Sequence, residues 1–251
     1  MLNLLWVLVG FAVGVTVNVL ADHLPERQRP QRPYCLQCGH VHTGVGVLGL
    51  GRRFLQGGKC PNCGAKTRWR TWVLELSTAV LFAFLPSLIT DPINLAINSF
   101  YMAVLMLIIV IDLENKLILN VVTFPATALA LLGSFLVTPD ENNWKLALAG
   151  AVVGFVVFFA FYWIGQLLFG PGALGFGDVK LALLLGAMLG FHRIFFALVI
   201  GVALGGVGSL LALIISRRVG RFTYLPYGQY LAVAGMIVLI WGGQMYRGYV
   251  G

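Results

Sequence analysis

Charge is the feature that this chain has least of. Only 10% of its 251 residues are charged, and nine Asp and Glu stand against seventeen Lys and Arg. Hydrophobic residues make up 59% of the chain, and the mean hydropathy is +0.89. A soluble domain of this length needs far less apolar surface. The scarcity of charge therefore argues against a soluble enzyme and predicts a polytopic membrane protein.

Long apolar segments recur along the chain and approach the roughly 20 residues that a helix needs to cross a bilayer. We place them at residues 2–21, 72–90, 93–111, 117–137, 144–169, 179–192, 194–216 and 228–246. The first has no basic residues before it and no small-residue cleavage site, so we interpret it as a retained helix rather than a secretory signal. The pattern predicts an all-α membrane protein with about eight transmembrane helices.

Lys and Arg are distributed unevenly between the two predicted faces. Nine of the seventeen lie between the first and second apolar segments, and alternation of the spans places fourteen on one face and three on the other. The positive-inside rule makes the richer face cytoplasmic and puts both termini outside. The net charge of +8 then reflects topology and contact with anionic membrane lipid. We expect no nucleic-acid partner, because no separate basic domain with interleaved aromatic residues is present.

All four cysteines lie in residues 22–71, the only sizeable polar segment. About fifty residues cannot form an ordinary hydrophobic core, so this segment needs a cross-link. The pairs Cys35-x-x-Cys38 and Cys60-x-x-Cys63 have the form of two knuckles that deliver four thiolates to one structural Zn²⁺. Disulfides or a thiol redox pair are the alternatives, and a reducing cytoplasm disfavours the disulfides. The predicted domains are a first helix (1–21), a zinc-binding domain (22–71) and a helical membrane core (72–251).

Two aspartates are predicted at the same cytoplasmic edge of the membrane. Asp112 ends one apolar segment, and Asp178 follows a glycine-rich stretch and precedes another. Two carboxylates that meet in a partly desolvated site share one proton, which is the arrangement that aspartic proteases use. The alternatives are ordinary loop residues at the membrane edge and, for Asp178, a helix N-cap.

Several motifs together resemble a known family. The run Gly175-Phe176-Gly177-Asp178 resembles the glycine-x-glycine-aspartate motif of intramembrane aspartyl proteases. The remaining motifs narrow the resemblance to the type IV prepilin peptidases, also called prepilin leader peptidase/N-methyltransferases. They are Ile111-Asp112-Leu113-Glu114, the paired cysteine knuckles, Arg70 and Glu75, Gly14, Asn18 and Pro25, and Pro226-Tyr227-Gly228.

The resemblance implies a membrane aspartic endopeptidase of the bacterial inner membrane, acting at the cytoplasmic face. Its substrates would be type IV prepilins or type II secretion pseudopilins, which lose a short leader. Asp112 and Asp178 would be the catalytic pair, with water as nucleophile and no catalytic metal. Gly175 and Gly177 would let the backbone approach the substrate, although a flexible hinge is an alternative role.

Many family members also methylate the new N-terminal amine with S-adenosylmethionine, and the resemblance extends this expectation to the present chain. The stretch Gly44 to Gly58 matches the family's segment between the cysteine pairs poorly, so the second activity is open at this point. His23 and Leu119 also depart from the family pattern, but neither belongs to the aspartate pair.

Two other functions remain open on the sequence. One is a related GxGD-type peptidase that acts on other membrane-anchored substrates. The other is a transporter or zinc-stabilised scaffold whose aspartates bind protons or cations. Transporters often contain repeated halves, and the sequence shows no convincing internal repeat. The sequence makes no prediction of oligomeric state.

Overall fold

A computed structural model describes residues 2–35, 37–137, 143–170, 174–219 and 227–250. Within these ranges the fold is helical, with two isolated β-bridges and no strand. The nine α-helices described are α1 (Leu2–His23), α2 (Gly49–Leu55), α3 (Trp69–Leu88), α4 (Pro92–Asn115), α5 (Asn120–Gly133), α6 (Trp144–Phe169), α7 (Phe176–Leu189), α8 (Phe191–Val219) and α9 (Gly228–Val250). The all-α prediction is confirmed. Pro226 of the family motif and Arg221, one of the fourteen Lys and Arg residues assigned to the cytoplasmic face, lie outside the described residues.

Every predicted apolar segment forms a helix, because in lipid the backbone must satisfy its hydrogen bonds within the segment. Six of these helices are long and apolar enough to cross a membrane: α1, α3, α4, α6, α8 and α9. α5 and α7 have 14 residues each and are only about 21 Å long at 1.5 Å per residue. The predicted count of about eight therefore consists of six full-length spans and two shorter helices.

Local signals set the helix ends. Asn143 caps α6 by accepting the Leu146 backbone N–H at 3.0 Å, as short polar side chains do at N-caps. Gly170 and Gly190 end α6 and α7 with φ of 86° and 78°, a conformation that glycine adopts most easily. The break at Gly190 lies three residues before the predicted break at residue 193. At its other end α7 begins at Phe176, three residues before the predicted segment, and includes Asp178 in its first turn.

Contacts divide the chain into two compact units, Met1–Ser99 and Phe100–Gly251. In the first unit α1 packs against α3. The backbones approach closely at Gly14, where an added Cβ would lie 2.5 Å from the Thr78 hydroxyl and 2.8 Å from the Glu75 Cα. The Glu75 carboxylate accepts the backbone N–H groups of Gly49 and Leu50 at 2.7 and 2.9 Å. These bonds attach the first turn of α2 to α3.

The second unit is built around α7. This short helix packs against α5, α6, α8 and α9, and ten of its residues are buried. Gly150 and Gly154 of α6 contact the backbone of Gly186 and Ala182 on α7, the close approach that small residues allow between membrane helices. The surrounding helices therefore shield a helix that carries a carboxylate and is too short to span by itself.

Candidate aspartate active site and cysteine metal site

Asp112 lies in the last turn of α4 and is 4% exposed. Its Oδ2 accepts the backbone N–H of Gln229 at 2.8 Å. Gln229 is the second residue of α9, so an N–H group that lacks an intrahelical partner satisfies the carboxylate. The positive end of the α9 dipole favours a negative charge at this position.

Asp178 is the third residue of α7 and is 6% exposed. Gly175 is the N-cap residue of this helix, and its carbonyl accepts the Asp178 backbone N–H at 3.1 Å. The alternative of Asp178 as N-cap is therefore wrong. A carboxylate inside the first turn still gains from the helix dipole.

The two carboxylates meet in front of Gly228, the first residue of α9. A Cβ built on Gly228 would lie 3.0 Å from Asp112 Oδ2 and 3.2 Å from Asp178 Oδ1. Because Gly228 has no side chain, both carboxylates face the same space. The structure thus brings together, within one unit, the two aspartates that the sequence singled out. Such a buried pair can hold one proton between its members and present one acceptor and one donor.

The four cysteine thiols form a second cluster, in the first unit. All four Sγ atoms lie within 4.8 Å of one another, with 3.6 Å between Cys35 and Cys63 and 3.8 Å between Cys38 and Cys60. Four sulfurs placed tetrahedrally about 2.3 Å from a zinc ion are about 3.8 Å apart. The donor set and its dimensions fit a closed four-thiolate metal site, and the cysteines are free rather than bonded to each other.

Both knuckles have the same local structure. Gly39 and Gly64 follow the second cysteine of each pair with φ of 69° and 72°. Their N–H groups donate to the carbonyls of Cys35 and Cys60 at 2.8 and 2.9 Å. Each turn needs a left-handed residue, which glycine supplies at low cost. A Cys-x-x-Cys-Gly run was thus the sequence signal for the geometry.

The pKa values of two of the thiols indicate why a bound cation would stabilise the cluster. At Cys35 burial acts to raise the pKa, but N–H groups of Cys38 and Gln37 and the neighbouring thiols outweigh it and lower the pKa to about 7. At Cys63 the N–H of Ala65 acts to lower the pKa, and the Cys38 thiol and burial raise it to about 12. Four thiolates so close together repel one another, so a bound dication is the means to keep all of them deprotonated.

Models of known protein families match the regions of this chain that contain the aspartate pair and the cysteine cluster. A model of the type IV leader peptidase family matches residues 99–210, and a model of the bacterial peptidase A24 N-terminal domain matches residues 8–88. A prepilin leader peptidase/N-methyltransferase of Aeromonas salmonicida is 30% identical over 223 residues, which cover 87% of this chain and 74% of the relative. The chain belongs to the type IV leader peptidase family.

Other relatives of the type IV leader peptidase family match over similar lengths. The protein of the same name from Aeromonas hydrophila is 30% identical, and the match covers 91% of this chain and 78% of that protein. The protein of the same name from Pseudomonas aeruginosa is 28% identical, and the match covers 97% of this chain and 92% of that protein. No solved structure matches this chain. The first family model includes both aspartates, and the second includes all four cysteines.

In this member of the type IV leader peptidase family, Gly175 and Gly177 both lie beside the aspartates. A Cβ on Gly175 would be 3.2 Å from Asp178 Oδ2, and one on Gly177 would be 3.0 Å from the Ile118 Cβ. Neither glycine has a positive φ, so close approach rather than backbone conformation explains them. Their role in substrate binding remains a prediction.

Sequence reasoning gave no role to several residues around the pair. Ile118 contacts Gly177 and Gly228, and Lys180 donates to the Asn120 amide oxygen at 2.7 Å. Tyr227 lies just before α9. Burial, and next the negative charge of Asp178, raise the pKa of its phenol to about 12. The motif Tyr227-Gly228 was visible in the sequence, but nothing local showed that it faces the aspartates.

A cavity of about 200 Å³, lined by both polar and apolar residues, lies in the first unit beside the cysteine cluster. Three of the side chains that line it are at least nine-tenths buried, and each has a polar atom without a hydrogen-bond partner among the described residues. These atoms are Asn18 Oδ1, His23 Nε2 and Arg52 Nε. Buried polar groups normally have partners. The three residues that carry these atoms line one cavity, which makes it a candidate site for a polar ligand.

Proposed function

We propose that this protein is a membrane aspartic endopeptidase that removes the leader peptide from type IV prepilins or type II secretion pseudopilins. The observation that carries the proposal is the convergence of Asp112 and Asp178 in front of Gly228. Membership of the type IV leader peptidase family and relatives named prepilin leader peptidase/N-methyltransferase support the substrate class.

In the proposed reaction one aspartate is ionised and the other is protonated. The ionised carboxylate takes a proton from water while the water oxygen bonds to the carbon of the scissile peptide. The protonated carboxylate donates to the carbonyl oxygen, which gives a neutral tetrahedral intermediate. The C–N bond then breaks as the nitrogen takes a proton from the first carboxylate, and one hydroxyl group of the intermediate returns its proton to the second carboxylate as it becomes the new carbonyl. The products are a leader with a new C-terminal carboxyl group and a pilin with a free N-terminal amine.

The surroundings of the two carboxylates suit a pair with one ionised and one protonated aspartate. The Gln229 N–H stabilises the ionised form of Asp112, because a hydrogen bond to a charged acceptor favours that form. The pair titrates as a unit, so the starting protonation of either aspartate is not assigned. The lack of side chains at Gly175 and Gly177 would let an extended substrate backbone approach Asp178, with Ile118 as the wall beside Gly177.

We place this site at the cytoplasmic face of the bacterial inner membrane, with the cysteine domain on the same side and both termini outside. The support is the excess of Lys and Arg in the segments assigned to that face. A cytoplasmic location also suits the metal assignment, since thiols stay reduced there. Membrane lipid then surrounds the six long apolar helices.

We assign Zn²⁺ to Cys35, Cys38, Cys60 and Cys63, because a tetrahedral four-thiolate set is typical of structural zinc. The four thiolates complete the coordination shell and leave no position for substrate. Zinc would stabilise a segment of about fifty residues that lacks a core of its own. Its role is therefore structural.

The cavity in the first unit favours a second activity. The names of the relatives include N-methyltransferase, and the methyl donor that the family resemblance implies is S-adenosylmethionine. When bound, that cofactor supplies an electrophilic methyl group. Its amino-acid carboxylate would suit the Arg52 guanidinium, and its polar groups would suit Asn18 and His23, which line the same cavity. These residues would bind and orient the donor.

The test uses purified full-length protein in lipid nanodiscs with a matched prepilin, and follows leader release and N-methyl incorporation together. Asp112→Asn and Asp178→Asn should each reduce leader release by at least about a thousandfold, because either change removes one half of a proton-transfer pair. Glu114→Gln is the matched control. Glu114 is an exposed carboxylate two residues from Asp112, and its replacement should leave the rate near that of the unchanged protein.

Leader release by either Asn variant at the normal rate would refute the assignment of the pair. Cleavage of other membrane-anchored peptides, but of no prepilin, would favour the related GxGD-type peptidase. Proton or cation uptake into proteoliposomes without any cleavage would favour the transporter.

A further inference from the structure

A short linker passes beside the aspartate pair. Residues 116–119 join α4 to α5 without regular structure. The linker leaves α4 through Lys116, which has a left-handed φ of 55° and whose N–H donates to the Asp112 carbonyl at 2.9 Å. The chain therefore turns sharply one turn after the first aspartate and runs close to it.

Ile118 of this linker faces the site. Its Cδ1 lies 2.8 Å from the Cβ position of Gly228, and its Cβ lies 3.0 Å from that of Gly177. Gly228 is the residue in front of which both carboxylates meet, and Gly177 directly precedes Asp178. Ile118 is therefore an apolar wall beside the two carboxylates, and the two glycines provide the space that it occupies.

A second set of contacts fixes the position of this wall. Asn120, at the start of α5, accepts the Lys180 ammonium at 2.7 Å. That ammonium also lies 5.0 Å from the Phe176 ring centroid and 5.8 Å from that of Phe124, within the range of a cation–π interaction. The far end of the linker is thus tied to the first turn of α7, which carries Asp178. Contacts at both ends of the linker therefore fix the position of Ile118.

We propose that Ile118 is a specificity-determining residue that limits the size of the substrate side chain beside the scissile bond. This inference rests on the proposed peptidase function. To react, the scissile carbonyl must come within hydrogen-bond reach of both carboxylates. An extended peptide in that position carries a side chain every 3.3 Å, alternately on opposite sides. One of the two residues that flank the bond therefore points toward Ile118 and must be small.

The experiment combines enzyme variants with two series of substrates. In one series the residue before the scissile bond of a prepilin is Gly, Ala or Val, and in the other the residue after it is varied in the same way. The enzymes are the unchanged protein, Ile118→Val, Ile118→Ala and the control Leu117→Ala. Leu117 is the neighbouring linker residue and is 50% exposed. The measured quantity is the ratio of kcat/KM between the larger and smaller side chains within each series.

For one of the two positions, Ile118→Ala should raise the Ala-to-Gly ratio by at least about tenfold, the discrimination that one methyl or methylene group supports in an apolar pocket. Ile118→Val should raise it less, and Leu117→Ala should leave it unchanged. Ratios unaffected at both positions in both Ile118 variants would overturn the proposal. An equal change in Leu117→Ala would also overturn it, because the effect would then belong to the linker as a whole.

The ratio separates this proposal from a loss of folding, since a smaller fraction of folded enzyme lowers both rates equally. It also separates the proposal from the proposed function. If the unchanged protein cleaves no prepilin, the peptidase assignment fails. If it cleaves prepilin and the Ile118 variants keep its ratios, only the role of Ile118 fails.

Discussion

Gly228→Ala is the sharpest test of the aspartate geometry. The added methyl group would enter the space that both carboxylates face, 3.0 Å from Asp112 Oδ2 and 3.2 Å from Asp178 Oδ1. It would also lie 2.8 Å from the Ile118 Cδ1, the flexible end of a side chain. Alanine suits the first residue of a helix, and Gly228 has no positive φ. The change therefore acts on the site more than on the backbone.

The structure allows the effect on stability and the effect on rate to be compared. Crowding by one carbon costs about 1–3 kcal/mol, and replacement of Gly by Ala in a helix returns about 0.5–1 kcal/mol. The net loss of folding stability should be about 0–2.5 kcal/mol. The carboxylates must shift by a few tenths of an ångström, and the methyl group narrows the space in which the proposed reacting water would bind. A misplacement of about 1 Å can cost about a hundredfold in rate, so this smaller shift should cost about tenfold or more.

The assay measures kcat/KM for leader release and the thermal midpoint of the same nanodisc sample. Gly206→Ala is the control, since an added Cβ at Gly206 in α8 meets no atom within 4 Å. We expect a loss of kcat/KM of at least about tenfold in Gly228→Ala, at a midpoint within about 10 °C of the control. A Gly228→Ala protein that cleaves within threefold of the control would refute the claim that the two carboxylates act through this space.

Three further predictions concern the first unit. Purified protein should contain about one Zn²⁺ per chain. A variant in which Cys35 and Cys60 become Ser should lose this zinc, and residues 22–71 should become sensitive to protease. Metal-free protein in which this segment resists protease would contradict the prediction. Acidification toward pH 5 should also release zinc, because metal ligation requires thiolates and protons compete for them. Arg52→Lys should weaken calorimetric S-adenosylmethionine binding at least tenfold, since Lys loses the two-pronged contact with a carboxylate, while leader release and zinc content stay normal. The exposed Arg53→Lys is its control, and equal binding by both variants would remove Arg52 from the site.

The helices could be predicted because the bilayer makes secondary structure a local property. A long run without charge must satisfy its backbone within itself, so composition along a window is sufficient. All eight apolar segments are helices. Their bounds were less predictable, because α7 is shielded by its neighbours rather than by its own length. Packing against four other helices let it begin three residues before the predicted segment and include Asp178.

The cysteine cluster could also be predicted from spacing alone. Each Cys-x-x-Cys-Gly turn is closed by hydrogen bonds within five residues, so its shape depends on neighbouring residues only. That the two turns face each other follows from the tetrahedral demand of one ion. The polar cavity beside them was not predictable, since Asn18, His23 and Arg52 are brought together from separate segments.

The sequence by itself determined which carboxylates belong to this site, because an aspartate at the end of an apolar run is costly and rare. Counting eight apolar segments predicted Asp112 and Asp178 on one membrane face, and the structure brings the two carboxylates together. Only the tertiary structure decided what surrounds them. The Asp112 carboxylate takes its N–H donor from Gln229, 117 positions away, and Gly228 and Ile118 define the space between the carboxylates. Such contacts depend on how helices pack. The pattern of hydrophobic and polar residues along one helix does not specify which other helix it contacts.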